Sequence, residues 1–150
     1  MVVVLDSGPL SQAANPTAST ENYEVNNWLR SLLAYGVQVI VPEIADYEVR
    51  RELLRRNNRR AIARLDELRV ALDDLPITTR VMLKAAEYWA LARQQGRVTA
   101  PDPALDGDVI LAAQAHSVVS AGEEAVIATT NVRHLELFAD ARLWREISPQ

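Results

Sequence analysis

Short continuous runs of apolar residues predict the strands of a buried β-sheet. Residues 2–5, 37–41 and 125–129 are β-branched or otherwise apolar almost without interruption. Such runs are typical of strands that are covered on both faces, as in a parallel sheet. Residues 75–77 and 144–147 are weaker candidates, so the pattern predicts a sheet of four to five strands.

The segments between these runs place their apolar residues at helical spacing. Residues 28–33 and 81–91 show this period. We expect Pro42 in the first turn of a helix, Thr78 or Thr79 as an N-cap, and a break at residues 57–58.

Strands that alternate with helices indicate right-handed crossovers between parallel strands. We therefore predict an α/β fold, a three-layer α/β/α sandwich with a mainly parallel central sheet. No repeat, low-complexity tract or shift in composition divides the chain, so we treat residues 1–150 as one domain.

Polar residues converge on one edge of this predicted sheet. In a parallel sheet, binding sites form at the carboxyl ends of the strands. Asp6 follows the first strand, and Thr129 and Asn131 lie at the end of the late strand. Glu48 lies about a turn and a half into the helix after the second strand, roughly 8 Å along its axis. A helix predicted to open near Asp106 adds Asp106 and Asp108 in its first turn.

Several carboxylates in one cleft oppose one another's ionisation unless a cation lies between them. Ligands that are all oxygen favour a hard ion, Mg²⁺ or Mn²⁺, and such ions most often serve phosphate chemistry. Each acid also has a purely structural interpretation. Asp6 can cap a helix, Glu48 can pair with Arg51, and Asp106 and Asp108 can complement a helix N-terminus.

Composition narrows the cellular setting and the class of metal site. The 150 residues contain no cysteine, which excludes disulfides and thiolate zinc sites. The apolar start is cut by Asp6 and then by Gly8 and Pro9, so we expect no signal peptide, no membrane span and a cytoplasmic location.

A net charge of -4 argues against a broad nucleic-acid-binding surface, but arginines crowd one stretch. This arginine segment consists of Arg50, Arg51, Arg55, Arg56, Arg59 and Arg60. Its side chains either pair with nearby acids on a solvated face or contact phosphates, with Arg50, Arg51 and Arg55 nearest the candidate site. Trp28, Trp89 and Trp144 are predicted to lie in the core or in a dimer contact rather than to stack on bases.

Four motifs in this order resemble those of the PIN domains, including the VapC-type toxins of toxin–antitoxin pairs. They are Val-Val-Leu-Asp-Ser at residues 3–7, the segment 41–50 that contains Glu48, the segment 108–115 that begins with Asp108, and the segment 128–135, in which a strand end runs into Thr-Thr-Asn. The resemblance covers nearly the whole chain.

The resemblance implies a metal-dependent ribonuclease in which Asp6, Glu48 and Asp108 hold Mg²⁺ or Mn²⁺, with Asp106 as an adjunct. Ser7, Asn131 and Thr129 would position water or phosphate. It further implies an RNA substrate, a homodimer and an antitoxin protein as partner.

One departure from the family pattern leaves the number of ions open. Many PIN domains carry a further acid in or just after the last motif, where this chain has Asn131. A non-catalytic PIN-fold module that binds nucleic acid or an antitoxin is therefore an alternative. A phosphatase of the haloacid-dehalogenase type would need an aspartate at position 8, which is Gly8.

Overall fold

The computed structural model describes residues 1–96 and 101–149. Its helices and strands are, in chain order, β1 (Val2–Leu5), α1 (Ser7–Ala14), α2 (Thr20–Ala34), β2 (Gln38–Pro42), α3 (Glu43–Arg55), α4 (Arg59–Ala71), β3 (Asp73–Leu75), α5 (Thr79–Gln95), α6 (Asp102–Ser120), β4 (Ala125–Thr129) and β5 (Ala141–Leu143), with short 3₁₀ turns at Val132–His134 and Trp144–Glu146.

The described strands form one sheet in the order β3-β2-β1-β4-β5, and every pairing in it is parallel. Because β1 and β4 are central, their carboxyl ends lie side by side, with Leu5 opposite Ala128. The predicted α/β fold with a parallel sheet is thus confirmed, at the upper end of the expected strand number.

Alternate residues of each strand enter two different cores. Val3 and Val39 pack with α1 to α4 on one face of the sheet. Val2, Val4 and Ile127 pack against α6 on the other face, and α5 packs on α6 from outside. This arrangement is the predicted three-layer sandwich.

Polar residues set the helix boundaries largely as the sequence indicates. The Thr78 hydroxyl caps α5 by accepting the Val81 amide at 3.1 Å. Asn57 adopts a positive φ of 54°, and the Asn58 side chain caps α4, which confirms the break between the two helices. Pro42 ends β2 and α3 begins at Glu43, one residue later than expected.

The two weak strand predictions were misplaced. The third strand ends at Leu75 rather than beginning there, and β5 precedes the predicted segment 144–147. Trp144 is instead in a 3₁₀ turn and packs on Trp28 with ring centroids 5.4 Å apart. The apolar character of this segment therefore reflects core packing and not a place in the strand ladder.

Helix α6 also begins earlier than predicted, at Asp102 rather than near Asp106. Pro103 lies in its first turn, where a missing backbone donor costs nothing. Asp108 consequently lies in the second turn. None of the helices in the described part of the chain is long and apolar enough to span a membrane.

Candidate functional site

Asp6 is held rigidly at the carboxyl end of β1. Its side chain caps α1, accepting the Ser7 amide at 2.7 Å on Oδ1. Its Oδ2 accepts the Thr129 hydroxyl at 2.7 Å. Both carboxylate oxygens are therefore oriented by neighbours, and the structural role as a cap coexists with a place at the candidate site.

Thr129 couples the end of β4 to Asp6. The side chain is 1% exposed, and its oxygen also accepts the Asn131 amide at 3.0 Å. The adjoining Thr130 packs against Gly8, where an added Cβ would lie 2.7 Å from the Thr130 Oγ1. A glycine at position 8 thus lets the loop after β4 close onto the start of α1.

Glu48 reaches the same edge of the sheet from α3. The backbone of α6 approaches it at Gly107, where a Cβ would lie 2.9 Å from the Glu48 Oε2. Because no side chain stands in the way, the carboxylate packs directly against α6. Gly107 therefore determines how close Glu48 lies to the helix that carries Asp108.

Buried Gln114 links the elements that carry these two acids. Its amide oxygen accepts the Ile44 amide at 3.2 Å, and its amide nitrogen donates to the Leu75 carbonyl at 2.8 Å. One side chain of α6 thereby ties the start of α3 and the end of β3 together. The relative position of Glu48 and Asp108 is set by this contact as well as by Gly107.

Burial and neighbouring charges perturb two of the three acids, Glu48 and Asp108. Burial raises the pKa of Glu48 above its ordinary value, Asp6 and Asp108 raise it further, and Arg51 opposes them. Burial and the Asp6 carboxylate raise the pKa of Asp108 to about 6, while the charge of His134 acts in the opposite direction. We call Asp6, Glu48 and Asp108 the acidic cleft, because three separate elements bring their charges together.

The chemistry of the acidic cleft suits a hard divalent cation. The donors are all carboxylate oxygens, and a cation between them would relieve the repulsion that adds to burial in raising the pKa values of Glu48 and Asp108. Within residues 1–96 and 101–149, no three acidic or histidine side chains already stand as a set of metal ligands.

Asp106 does not belong to the acidic cleft. Residues two positions apart on a helix point about 200° apart, so Asp106 faces away from Asp108. It lines a separate cleft with Trp89 of α5. This geometry gives no support to the prediction that Asp106 is an additional metal ligand.

Much of the arginine segment is neutralised by acids of α3 and α4. Arg50 contacts Asp46 at 2.9 Å and Asp66 at 2.8 Å, which raises the pKa of its guanidinium. Exposed Arg55 pairs with Glu52, and so does Arg56, as the solvated-face interpretation predicts.

Arg51 is the member of the segment that contacts the acidic cleft. Its guanidinium lies 4.0 Å from the Glu48 Oε2 and 5.0 Å from the centre of the Tyr47 ring. More than half of the side chain is exposed. Of the three arginines predicted to bind nucleic acid, Arg51 is best placed to reach a phosphate at the cleft.

Sequence reasoning missed Gly107, Gly8 and Gln114 as determinants of the site, and it gave His134 no role. A glycine between two aspartates at the start of a predicted helix is the one local signal, since glycine is a poor helix former. The contacts of Gly8, Gln114 and His134 depend on tertiary packing and leave no mark in the local sequence.

Comparison with known proteins supports the fold. Neither protein-family models nor curated proteins match the sequence. Among solved structures, VapBC2 from Rickettsia felis bound to a DNA fragment from its promoter matches with a TM-score of 0.71 and 15% identity, covering 96% of this chain and 99% of that chain.

Two further structures agree. VapBC-1 from nontypeable Haemophilus influenzae matches with a TM-score of 0.63 and 14% identity over 97% of this chain and 100% of that one. DNA-bound VapBC from Salmonella typhimurium matches with a TM-score of 0.63 and 16% identity over 96% of this chain and 98% of that one. The chain therefore has the PIN-type fold that the sequence resemblance implies.

Proposed function

We propose that this chain is a divalent-metal-dependent endoribonuclease and the toxin of a type II toxin–antitoxin pair. The observation that carries the proposal is the acidic cleft, in which burial and neighbouring carboxylates raise the pKa values of Glu48 on α3 and Asp108 on α6, with Asp6 of β1 acting on both. The likeness in fold to VapBC proteins supports the toxin role.

In this proposal Asp6, Glu48 and Asp108 hold Mg²⁺ or Mn²⁺. The ion supplies a Lewis acid that acidifies water and stabilises charge on the phosphate. Thr129 and the Ser7 amide fix the orientation of Asp6.

The remaining polar groups act on the substrate or on water. Ser7 and Asn131 flank the cleft and orient the attacking water or a phosphate oxygen. Arg51 contributes positive charge beside Glu48, where it attracts the RNA backbone. Such hydrolysis uses no 2′-hydroxyl, so the substrate class is set by binding rather than by the chemical step.

The cellular context follows from the same proposal. The protein acts in the cytoplasm as a homodimer, and an antitoxin inhibits it by inserting a segment into the acidic cleft. Because the cleft is negatively charged, we expect that segment to carry a basic side chain.

Cleavage of labelled RNA with Mn²⁺ tests the activity. The wild type should cut, whereas EDTA or Asp6→Asn should reduce cutting by at least about 100-fold, since losing even an outer partner of a metal ligand costs about 10- to 100-fold. Asp140→Asn is the matched control, because Asp140 precedes β5, at the amino end of that strand, and pairs with Arg142. Equal cutting by wild type and Asp6→Asn would contradict the assignment.

A non-catalytic binding module is the second candidate. Asn131 in place of an acid, together with the absence of a ready-made set of metal ligands within residues 1–96 and 101–149, favours it. Such a module would bind RNA or an antitoxin with the same affinity in Mn²⁺ and in EDTA and would cut nothing.

A further inference from the structure

A second cleft opens between α5 and α6, beside the acidic cleft. Its volume is about 380 Å³, within the range of small-ligand pockets of roughly 300 to 1,000 Å³. Met82, Ala86 and Trp89 line it from α5, and Asp106, Val109 and Ile110 line it from α6. These positions recur at three- and four-residue spacing, so each helix contributes one continuous face.

Asp106 supplies the charged group of this otherwise apolar lining. It is exposed, and no hydrogen bond or ion pair to another residue of the described ranges is found for it. An ionised carboxylate can only accept hydrogen bonds. A ligand of this cleft must therefore combine a flat or apolar body with N–H or O–H donors.

Trp89 is held in position on the other side of the cleft. The guanidinium of Arg93 lies 5.7 Å from the centre of the indole ring and pairs with Asp102 at 2.7 Å. An indole fixed in this way is a preorganised surface for a planar ring, and stacking of a base on an aromatic side chain is worth about 1 to 3 kcal/mol.

The two clefts are close enough to serve one polynucleotide. Asp106 and Asp108 are two residues apart on α6, which is roughly 3 Å of helix rise, and they point to opposite sides. Gly107 between them contacts Glu48 of the acidic cleft. A phosphate at the acidic cleft would thus bring a neighbouring base to the cleft between α5 and α6.

We propose that the cleft between α5 and α6 binds a guanine base of the RNA next to the cut phosphodiester, with Asp106 accepting its hydrogen bonds and Trp89 packing on its ring. The inference rests on the proposed ribonuclease function. Guanine is the RNA base that presents two adjacent N–H donors on one edge, at N1 and at the exocyclic amine. The other bases interpose an acceptor beside each donor, which an acceptor-only carboxylate repels.

Binding to the uncut RNA tests this selectivity without catalysis. The Asp6→Asn protein is titrated by fluorescence anisotropy with short oligouridines that carry one central guanosine, inosine or adenosine. Inosine lacks the exocyclic amine, so it should bind roughly tenfold more weakly than guanosine, the effect of one hydrogen bond to a charged group. This comparison uses one protein, so no folding defect of a cleft variant can produce it.

A second substitution tests whether Asp106 causes the preference for guanosine over inosine. When Asp106→Asn is added, the affinities for the guanosine and inosine oligonucleotides should come within about twofold of each other, because an amide can donate hydrogen bonds as well as accept them. Glu87→Gln is the matched control, since Glu87 lies on α5 and lines a different cleft. Glu87→Gln should leave the difference in affinity between guanosine and inosine unchanged.

The outcomes separate this inference from the ribonuclease proposal. Cutting by the wild type with equal binding of guanosine and inosine overturns the guanine subsite alone. Selective binding without any cutting supports the subsite and overturns the activity. Failure to bind any of the oligonucleotides overturns the subsite as well.

The competing occupant is a second copy of this chain. Ala86→Glu places a charge in the cleft, and the mass in solution is then measured by light scattering. An unchanged mass with weakened guanosine binding supports the subsite. A halved mass shows that a second copy covers the cleft and overturns the proposal.

Discussion

The acidic cleft and the arginine segment carry opposite charges, and they differ in how these charges are neutralised. The arginines of α3 are matched by acids one turn away or on α4, as in the contacts of Arg50 with Asp46 and Asp66. In the acidic cleft, like charges lie near one another, and burial together with this repulsion raises the pKa values of Glu48 and Asp108.

The paired charges of the arginine segment therefore have a structural role, whereas the carboxylates of the acidic cleft are available for a ligand. The charge of Arg50 is already satisfied within the fold by Asp46 and Asp66, so removing it disturbs the protein itself. Buried carboxylates that repel one another destabilise the protein without a cation, and such an arrangement is typical of a binding or catalytic site. Substitutions in the two regions should therefore affect stability and activity in opposite ways.

Outside the three acids themselves, the largest effect is expected at Gly107. In Gly107→Ala the new methyl group displaces the Glu48 carboxylate, so cleavage should fall by about 10- to 100-fold, as for a misplacement of roughly 1 Å at a reacting centre. The free energy of unfolding should change by less than about 1 kcal/mol, because the end of Glu48 can move and alanine favours helix.

Gly36→Ala is the matched control for this experiment. Gly36 has a φ of 77° and nothing near its Cα that a methyl group would touch. Alanine there should lower stability by about 1 kcal/mol through backbone strain and leave cleavage unchanged. Loss of stability without loss of activity in Gly107→Ala would contradict the role assigned to this glycine.

The next largest effects are expected at two neighbouring arginines. Arg50 is paired within the fold, whereas Arg51 contacts the acidic cleft. Arg50→Ala leaves the buried carboxylate of Asp46 with fewer partners, so stability should fall by about 1 to 3 kcal/mol in urea denaturation. Arg51→Ala should leave stability almost unchanged and lower the slope of log affinity for RNA against log salt by about 0.7, the effect of one lost phosphate contact. Loss of stability in Arg51→Ala together with a reduced salt dependence in Arg50→Ala would contradict the roles assigned to these two arginines.

A smaller effect is expected from the titration of Asp108. Its pKa is about 6 in the folded protein against an ordinary value of 3.8, so between these values the folded state holds more protons than the unfolded state. Stability in EDTA should therefore fall as the pH rises from about 4 to about 6. The loss should be about 1 to 2 kcal/mol after allowance for solvent screening.

Asp108→Asn should remove this pH dependence. At pH 7 in EDTA, the variant should be more stable than the wild type by about the same 1 to 2 kcal/mol, although it cannot cut RNA. Parallel stability profiles of the two proteins between pH 4 and pH 7 would rule out the raised pKa of Asp108.

Much of the fold could be predicted because the central strands are marked by local sequence. β1 and β4 are continuous apolar runs that the sheet buries on both faces, and the polar residues that follow them are Asp6 and Asn131. The edge strand β5 was misplaced because its residues are largely exposed, so its sequence lacks an apolar run.

The site was predicted in part for the same reason. The positions of Asp6, Glu48 and Asp108 follow from the order of strands and helices, which the apolar pattern indicates. The contact of Gly107 with Glu48 arises only when α3 and α6 pack, and the turning away of Asp106 follows from the helix starting at Asp102. Such details depend on tertiary structure and on exact helix phase.

Calorimetric titration of the metal-free protein with Mn²⁺ tests the central claim most directly, since it asks whether the three carboxyl groups share a cation. The wild type should bind, and Asp6→Asn and Asp108→Asn should each weaken binding at least tenfold, with Asp140→Asn unchanged. Binding of equal strength in all four proteins, or no binding by the wild type, would contradict the account.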